Sequence, residues 1–411
     1  MHTELSAAHA RTADGARAKA IIGSCVHCGF CLATCPTYQL LGNELDSPRG
    51  RIYLIKQMLE GAPASEVTLT HLDRCLTCRA CETTCPSGVR YGELVDIGRQ
   101  MVDAQPVRAP GERLLRGALG ALLSRRAVFG AGLAVGQWLR PLLPKALAQR
   151  IPVRTRAGAT PVARHARRML ILQGCVQPAL APNINAAAIR VLDRVGVSLL
   201  NVKDEVCCGA LSHHLGGTGN ERALKQMRRN VDVWTPHLDG GAEAILVSAS
   251  GCAVMVKDYG ALLKHDPDYA ARAERVSAAT RDLCEVLSVA NIAAIAGDNS
   301  RARARRVAWQ SPCTLQHGQK LTGRVEPLLQ AAGFSLTPVR DPHLCCGSAG
   351  TYSILQRELS VRLRRVKLDT LQDAAPEVIA SANIGCLQHL GAAAEIPVKH
   401  WIELIDEAST R

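Results

Sequence analysis

Two cysteine runs fix most of what this chain can become. "CVHCGFCLATCP" places Cys25, Cys28, Cys31 and Cys35 as C-x2-C-x2-C-x3-C-P, and "CLTCRACETTCP" repeats the spacing with Cys75, Cys78, Cys81 and Cys85. Three closely spaced thiolates wrap one corner of a [4Fe–4S] cube, while the fourth, before proline, reaches across to the other cube. The expected ligand sets are therefore crossed: Cys25, Cys28, Cys31 and Cys85 for one cluster, and Cys75, Cys78, Cys81 and Cys35 for the second. Zinc can be held by paired C-x2-C knuckles, but it needs neither the third cysteine at x2 nor the fourth before proline, twice over. Clusters held this way give a substrate no open coordination site, so the natural task of this region is electron transfer.

The spacing is that of bacterial ferredoxins, but the connection between the runs is longer than a compact two-hairpin ferredoxin needs. Thirty-nine residues separate Cys35 from Cys75, and "SPRGRIYLIKQMLEG" within them reads as a helix. Ser47 suits the N-cap and Pro48 the first helical position. Ile52, Ile55 and Leu59 recur at helical spacing, and Gly61 ends the run. Residues 1–103 are thus expected to form a helical ferredoxin module.

The C-terminal part is an internal duplication. Cys175 precedes the pair Cys207–Cys208 by 32 positions, and Cys313 precedes Cys345–Cys346 by 32; each pair is followed by glycine. A further cysteine follows each CCG after an apolar strand-like run, Cys252 after "AILVSASG" and Cys386 after "EVIASANIG". "MLILQGC" matches "VAWQSPC", and "VSLLNV" matches "FSLTPV", with helical stretches at 185–195 and 323–332 between them. Such alternation predicts two α/β units with mainly parallel sheets. The expected class is α+β multidomain: a ferredoxin module (1–103), a basic, partly apolar helical linker (104–167), a first CCG repeat (168–300) and a second (301–411). A vicinal pair is a poor disulfide, because the bridge would close across one peptide bond. Two thiolates on a tight turn instead suit a metal or a redox-active dithiol, with buried, inert thiols as the plain alternative. Cys284, outside this pattern, matches Ile402 of the second repeat and is expected in the core. His213, His214 and His317 lie near the cysteine loops and are expected to be solvated.

The start of the chain shows no apolar run of the secretory kind. The longest uncharged stretch of the linker, "AVFGAGLAVGQWL", is too short to span a bilayer as a helix. A cytoplasmic setting is expected, where 17 cysteines argue for metal or redox chemistry over structural disulfides. No G-x-G-x-x-G follows a strand and no C-x-x-C-H is present, so neither flavin, NAD nor a c-type haem is expected on this chain.

The pieces "CVHCGFCLATCPTYQLLGNELDSPRGRIYLIKQMLEG" and "HLDRCLTCRACETTCPSGVRYGELVDIGR", followed by two CCG repeats, resemble the iron–sulfur subunit of bacterial glycolate oxidase (glycolate dehydrogenase) over essentially the whole chain. The resemblance implies an oxidoreductase complex acting on CH–OH with a non-NAD acceptor. A flavin-bearing partner would oxidise glycolate to glyoxylate, and this chain would only pass electrons through two [4Fe–4S] clusters towards a quinone-type acceptor. Lactate or glycerol-3-phosphate dehydrogenase subunits share the layout, as do heterodisulfide-reductase-like thiol enzymes. In that wider group each repeat often ends in C-x2-C; here Met255 and His389 stand at the last position. The large non-cubane cluster of the heterodisulfide reductases is therefore not implied. A smaller cluster, a metal or a thiol site at Cys175, Cys207, Cys208 and Cys252, and at Cys313, Cys345, Cys346 and Cys386, is left open.

The formal net charge of +13 is concentrated in one place. Between Ala104 and Leu170 stand thirteen Lys/Arg, Arg150 among them, against the single acid Glu112. Apolar helical stretches edged by arginine suit anionic lipid, or equally linker helices packed on the domains. The expected place is the cytoplasmic face of the inner membrane. With few aromatics and no binding motif in the stretch, nucleic acid is not an expected partner.

Overall fold

The computed structural model describes residues 1–148, 151–296 and 305–409; Arg150 and the 300/301 domain boundary lie outside them. The longer helices of the N-terminal module are α1 (Ala13–Gly23), α2 (Pro48–Leu59), α3 (Glu66–Asp73) and α4 (Tyr91–Asp103). The insert helix forms as the sequence predicts. The Ser47 hydroxyl accepts from the Gly50 amide at 3.0 Å, Pro48 occupies the first turn, and the chain turns out of helix at Glu60. Its apolar stripe, Ile52, Ile55 and Leu59, is buried with Leu94 and Val95 of α4. This packing braces the two cysteine loops from behind.

Two linker helices follow, α5 (Pro110–Leu123) and α6 (Arg126–Leu139), which meet at 92°. Among the described residues no single helix is long and apolar enough to cross a membrane. The two behave differently. In α5, Arg116 joins Arg108 in ion pairs with Asp73 and Glu112, so its basic side is tied to the N-terminal module. In contrast, α6 has no buried residue.

The first repeat contains β1 (Arg167–Ile171), α7 (Asn183–Arg194), β2 (Val197–Asn201), α8 (Ala210–Leu215), α9 (Thr218–Asp239), β3 (Ile245–Val247), α10 (Ser250–Lys257), β4 (Thr280–Asp282) and α11 (Val289–Ala296). The second contains β5 (Arg306–Gln310), α12 (Glu326–Ala331), β6 (Ser335–Thr337), α13 (Arg357–Gln372), β7 (Val378–Ser381), α14 (Ile384–Gly391), β8 (Val398–His400) and α15 (Trp401–Ala408). Each sheet is parallel, ordered β2-β1-β3-β4 and β6-β5-β7-β8. Strand order reverses between β1 and β3, and between β5 and β7. At such a switch point the carboxyl ends of the strands open a crevice.

One apolar core runs through both repeats, from Ile171, Ile184 and Leu192 to Trp309, Ile384 and Trp401. Helix α7 packs on α15, where Asp406 receives Arg190 at 2.6 Å and Arg194 at 2.8 Å, and reciprocally α11 packs on α12. Cys284 sits in this core, 4% exposed. Its equivalence to Ile402 holds in detail, because Asp282 and His400 each cap the following helix in a capping box. Because Trp401 is fully buried in the shared core, Trp401→Ala should cost about 3–5 kcal/mol. Denaturant melts followed in both repeats should then shift together; separate transitions would show that the core is not shared.

Candidate functional site

The two cysteine runs turn their backbones at matching positions. His27 and Gly29 in the first, and Thr77 and Arg79 in the second, all take positive φ, between 52° and 83°. Left-handed residues at matching positions curl the amides of each loop inward, a concavity suited to an anion. Arg79 accepts that strain with its side chain anchored by Glu82 at 2.9 Å and Asp258 at 3.3 Å.

These loops enclose two cavities. The first is lined by Cys25, Cys28, Cys31 and Cys85, the second by Cys35, Cys75 and Cys78, and Cys81 lines both. Cys85 thus crosses to the first run and Cys35 to the second, as the spacing requires. Pro48 and Tyr91 also line both cavities, so the two sites share a wall. Soft thiolates around apolar-walled spaces suit iron–sulfur cubes. Burial, then the neighbouring Cys25 and Cys35, pushes the Cys31 thiol up to about 11, and burial likewise raises Cys78 and Cys81. Only a bound metal would draw these thiols into their anionic form at neutral pH.

The sites differ in exposure. Cys28 is exposed, between Val26 (69% exposed) and Phe30 (62% exposed). By contrast, Cys35, Cys75 and Cys81 are buried. The buried site comes with a cation that spacing arguments missed. Arg51, on the face of α2 towards Cys35, is 1% exposed and places a guanidinium nitrogen 4.0 Å from Cys35 Sγ. It donates to the His71 carbonyl at 2.7 Å and to Thr37 at 3.1 Å, and pairs with Asp46 at 3.4 Å. Asp46, fully buried, also takes His71 at 2.9 Å and Arg74 at 3.1 Å. A buried arginine standing among apolar helix positions was the available signal.

In each repeat the structure gathers the four expected cysteines at the carboxyl ends of the strands. Cys175 Sγ lies 3.5 Å from Cys207, and Cys208 adjoins Cys252. Cys313 lies 3.8 Å from Cys345, and Cys346 lies 3.3 Å from Cys386. The last member of each set is placed differently from its expected strand end: Cys252 and Cys386 stand in the first turns of α10 and α14. There the free amides and the helix dipole favour a thiolate. Contact with Cys207, then burial, raises the Cys175 thiol, and contact with Cys345, then burial, raises Cys313.

The glycine of each CCG has a steric cause. Gly209 and Gly347 have φ of 91° and 87°, and a Cβ on Gly347 would stand 2.7 Å from the Ser360 carbonyl oxygen. Met255 is buried in the first repeat's core, and the ring of His389 bonds Ser360 at 3.2 Å.

Of the loop histidines, His214 is exposed as expected, whereas His213 and His317 are withdrawn from water into contacts. His213 Nε2 meets Asp96 of α4 at 3.2 Å, and His317 bonds Thr83 at 3.1 Å. Burial works against the charged form of Asp96, but His213, His214 and Arg99 hold its carboxyl down to about 2. Asp96, His213 and His214 together hold the N-terminal module against the first repeat. The second repeat packs over the buried cysteine site itself: Leu76 and Cys78 share an apolar cluster with Cys313, Cys345 and Leu363.

Comparison with known proteins agrees with this layout. Residues 21–89 match the family model of a 4Fe-4S dicluster domain, and residues 169–257 and 307–391 each match that of a cysteine-rich domain. The chain is 50% identical to the glycolate oxidase iron-sulfur subunit of Escherichia coli (strain K12), covering 99% of both proteins. It is 29% identical to the probable glycolate oxidase iron-sulfur subunit of Bacillus subtilis (strain 168), over 94% of each. Lactate utilization protein A of Bacillus licheniformis is 25% identical over 53% of this chain and 87% of its own. A hypothetical protein from Helicobacter pylori shares the fold with a TM-score of 0.53 at 8% identity, covering 89% of this chain and 68% of its own.

The crossed cavities make a specific prediction. Cys85→Ser should remove the EPR signal of the exposed cluster although the residue belongs to the second run, and Cys35→Ser that of the buried one; loss of the other cluster in each case would refute the crossing. Gly347→Ala should destabilise the second repeat by about 1–3 kcal/mol, read from its denaturation midpoint.

Proposed function

This chain belongs to the glycolate oxidase iron–sulfur subunit family, and from that premise we propose that it conducts electrons for a flavin-linked glycolate dehydrogenase. In this reading Cys25, Cys28, Cys31 and Cys85 hold the entry cluster, and Cys35, Cys75, Cys78 and Cys81 hold the inner one. A [4Fe–4S] group supplies reversible one-electron transfer, which splits the electron pair taken from glycolate as it becomes glyoxylate. The chain's own residues do the rest. They keep the two sites on one shared wall, exclude water from the inner site and neutralise its charge with Arg51.

The observation that carries the reading is the difference in exposure. Val26, Cys28 and Phe30 present an exposed apolar rim at the first site, while Cys35, Cys75 and Cys81 at the second are buried. A flavoprotein partner docks on that rim and electrons then pass inward. Glycolate meets the partner, so its recognition is not written in these residues.

The acceptor in this proposal is quinone, reached from the cytoplasmic face of the membrane. Among the described residues, ten of the seventeen exposed large apolar side chains fall between Leu114 and Val162, with Trp138 at 76% and Leu142 at 78% exposure. Arg125, Lys145 and Arg154 are exposed beside them. An apolar face with a basic margin suits anionic lipid, each cation adding on the order of 1 kcal/mol. The contact falls to α6 and the segment after it, because Arg108 and Arg116 are already paired with carboxylates.

Two experiments test this. A Val26→Asp/Phe30→Asp variant should keep its clusters yet be reduced at least tenfold more slowly by glycolate and the flavoprotein partner in stopped flow; an unchanged rate would remove the rim as the entry face. Trp138→Glu/Leu142→Glu should lose flotation with anionic liposomes, and equal flotation would return α6 to a plain linker.

A further inference from the structure

The seam between the N-terminal module and the first repeat holds a cluster of side chains that the electron path does not use. Asp96 stands in the middle of α4, and His213 and His214 are neighbours on α8, the short helix that begins directly after the first CCG. One ligand atom from each of the three lies within 4.8 Å of the other two. His213 Nε2 is 3.2 Å from Asp96 Oδ2, and His214 Nδ1 is 4.0 Å from Asp96 Oδ1. The two helices meet closely beside the cluster, since a Cβ on Gly216 would collide with the Asp103 carboxylate.

A plain ion pair accounts for His213 but not for its neighbour. At 4.0 Å His214 is beyond hydrogen-bond reach of the carboxylate, and two imidazolium rings with centroids 5.4 Å apart would repel. Arg99 approaches Asp96 to 4.0 Å but gives its closer contacts to the carbonyls of Leu72 and Cys75, at 3.0 and 2.6 Å, and to Thr77 at 2.9 Å. Across the same seam Arg79 is shared by Glu82 at 2.9 Å and Asp258 at 3.3 Å. Three carboxylates thus face two guanidiniums, and the balance of charge favours a cation among the imidazoles.

Two imidazoles and a carboxylate form a donor set for a borderline divalent metal. Bonds of about 2.0–2.1 Å around a tetrahedral ion place its ligand atoms about 3.3 Å apart, a contraction within the reach of side-chain rotation. The exposed side of His214 leaves the fourth position to water. Zinc has no redox chemistry, so such an ion takes no electron from the neighbouring cluster. Its position suits a mechanical part: α4 carries Arg99, which grips the Cys75 carbonyl, and α8 continues the chain from Cys207 and Cys208.

We propose that Asp96, His213 and His214 bind a divalent ion of the zinc class, and that this ion fastens the N-terminal module to the first repeat. The site shares no ligand with any cysteine set, and it stands whether or not the electron-transfer reading does. Nothing is oxidised or reduced. Three metal–ligand bonds form, and a proton held between His213 and Asp96 passes to water as the imidazole takes the metal.

The test offers one equivalent of Zn2+ to the anaerobically purified full chain with its cubes in place, and reads zinc K-edge EXAFS and metal retention after gel filtration. The bound ion should show nitrogen and oxygen at about 2.0–2.1 Å with imidazole scattering behind them, and no sulfur at about 2.3 Å. His214→Ala, an exposed position that should leave the fold and both cube EPR signals intact, should weaken zinc binding about 10–100-fold or more, since even an outer-shell partner is worth that much. Asp96→Asn should do the same, and His265→Ala, an exposed histidine elsewhere in the first repeat, should bind as the wild type does. Zinc should also slow hydrogen exchange in α4 and α8 several-fold while leaving α15 unchanged. A sulfur shell around the zinc, no retained zinc, or binding that survives His214→Ala would overturn the site. Exchange in α4 and α8 that ignores bound zinc would overturn its role as a fastener.

Discussion

Negative charge on buried sulfur is the problem that the rest of this protein is arranged around. A thiolate removed from water needs a metal, a hydrogen-bond donor or a cation beside it. The N-terminal module meets the need by exchanging its fourth cysteines, so that neither cysteine run can complete its site without the other. That exchange forces the 39-residue connection to fold back between the runs, which is why it forms a helix packed behind both. The same helix delivers Arg51, and the fully buried Asp46 fixes the arginine in place.

The two repeats meet a related need with a different scaffold. A parallel sheet with a switch point gathers loops from three strands at one edge. Its four cysteines come from the loops after the first two strands and from the helix after the third. Duplication then let the copies diverge around a fixed sulfur geometry. One copy lies over the inner cluster site, with Lys367 buried against the carbonyls of Asp341 and Pro342. The other carries Glu205 and is held to the N-terminal module through His213 and Asp96 instead.

Much of this was legible before any fold was known, because it depends on local rules. Ser47 and Pro48 announce a helix start wherever they precede an apolar stripe. The match of Cys284 to Ile402 follows from aligning two copies of one pattern. The placement of Cys252 and Cys386 was read less well: the strands end at Val247 and Ser381, and the chain has already entered a helix when the cysteine arrives. Apolar runs at the strand-to-helix junction do not show where one period gives way to the other. The arginines of the linker were also only half legible. A count of charge cannot separate Arg116, tied to Asp73, from Arg125, which faces water.

The sequence by itself determined the cofactor class, the crossed grouping of the two cysteine runs and the duplication, since each is a matter of spacing along the chain. Tertiary structure alone decided which site is exposed, which repeat touches a cluster and where the buried cations stand. Lys367 lies 21 positions after Cys346 in a helix full of basic residues, and nothing local distinguishes it from Arg364 or Arg365. Only the packing of α13 against the carboxyl edge of the sheet turns that one side chain inward. Burial is what makes its charge matter, because water would otherwise screen it.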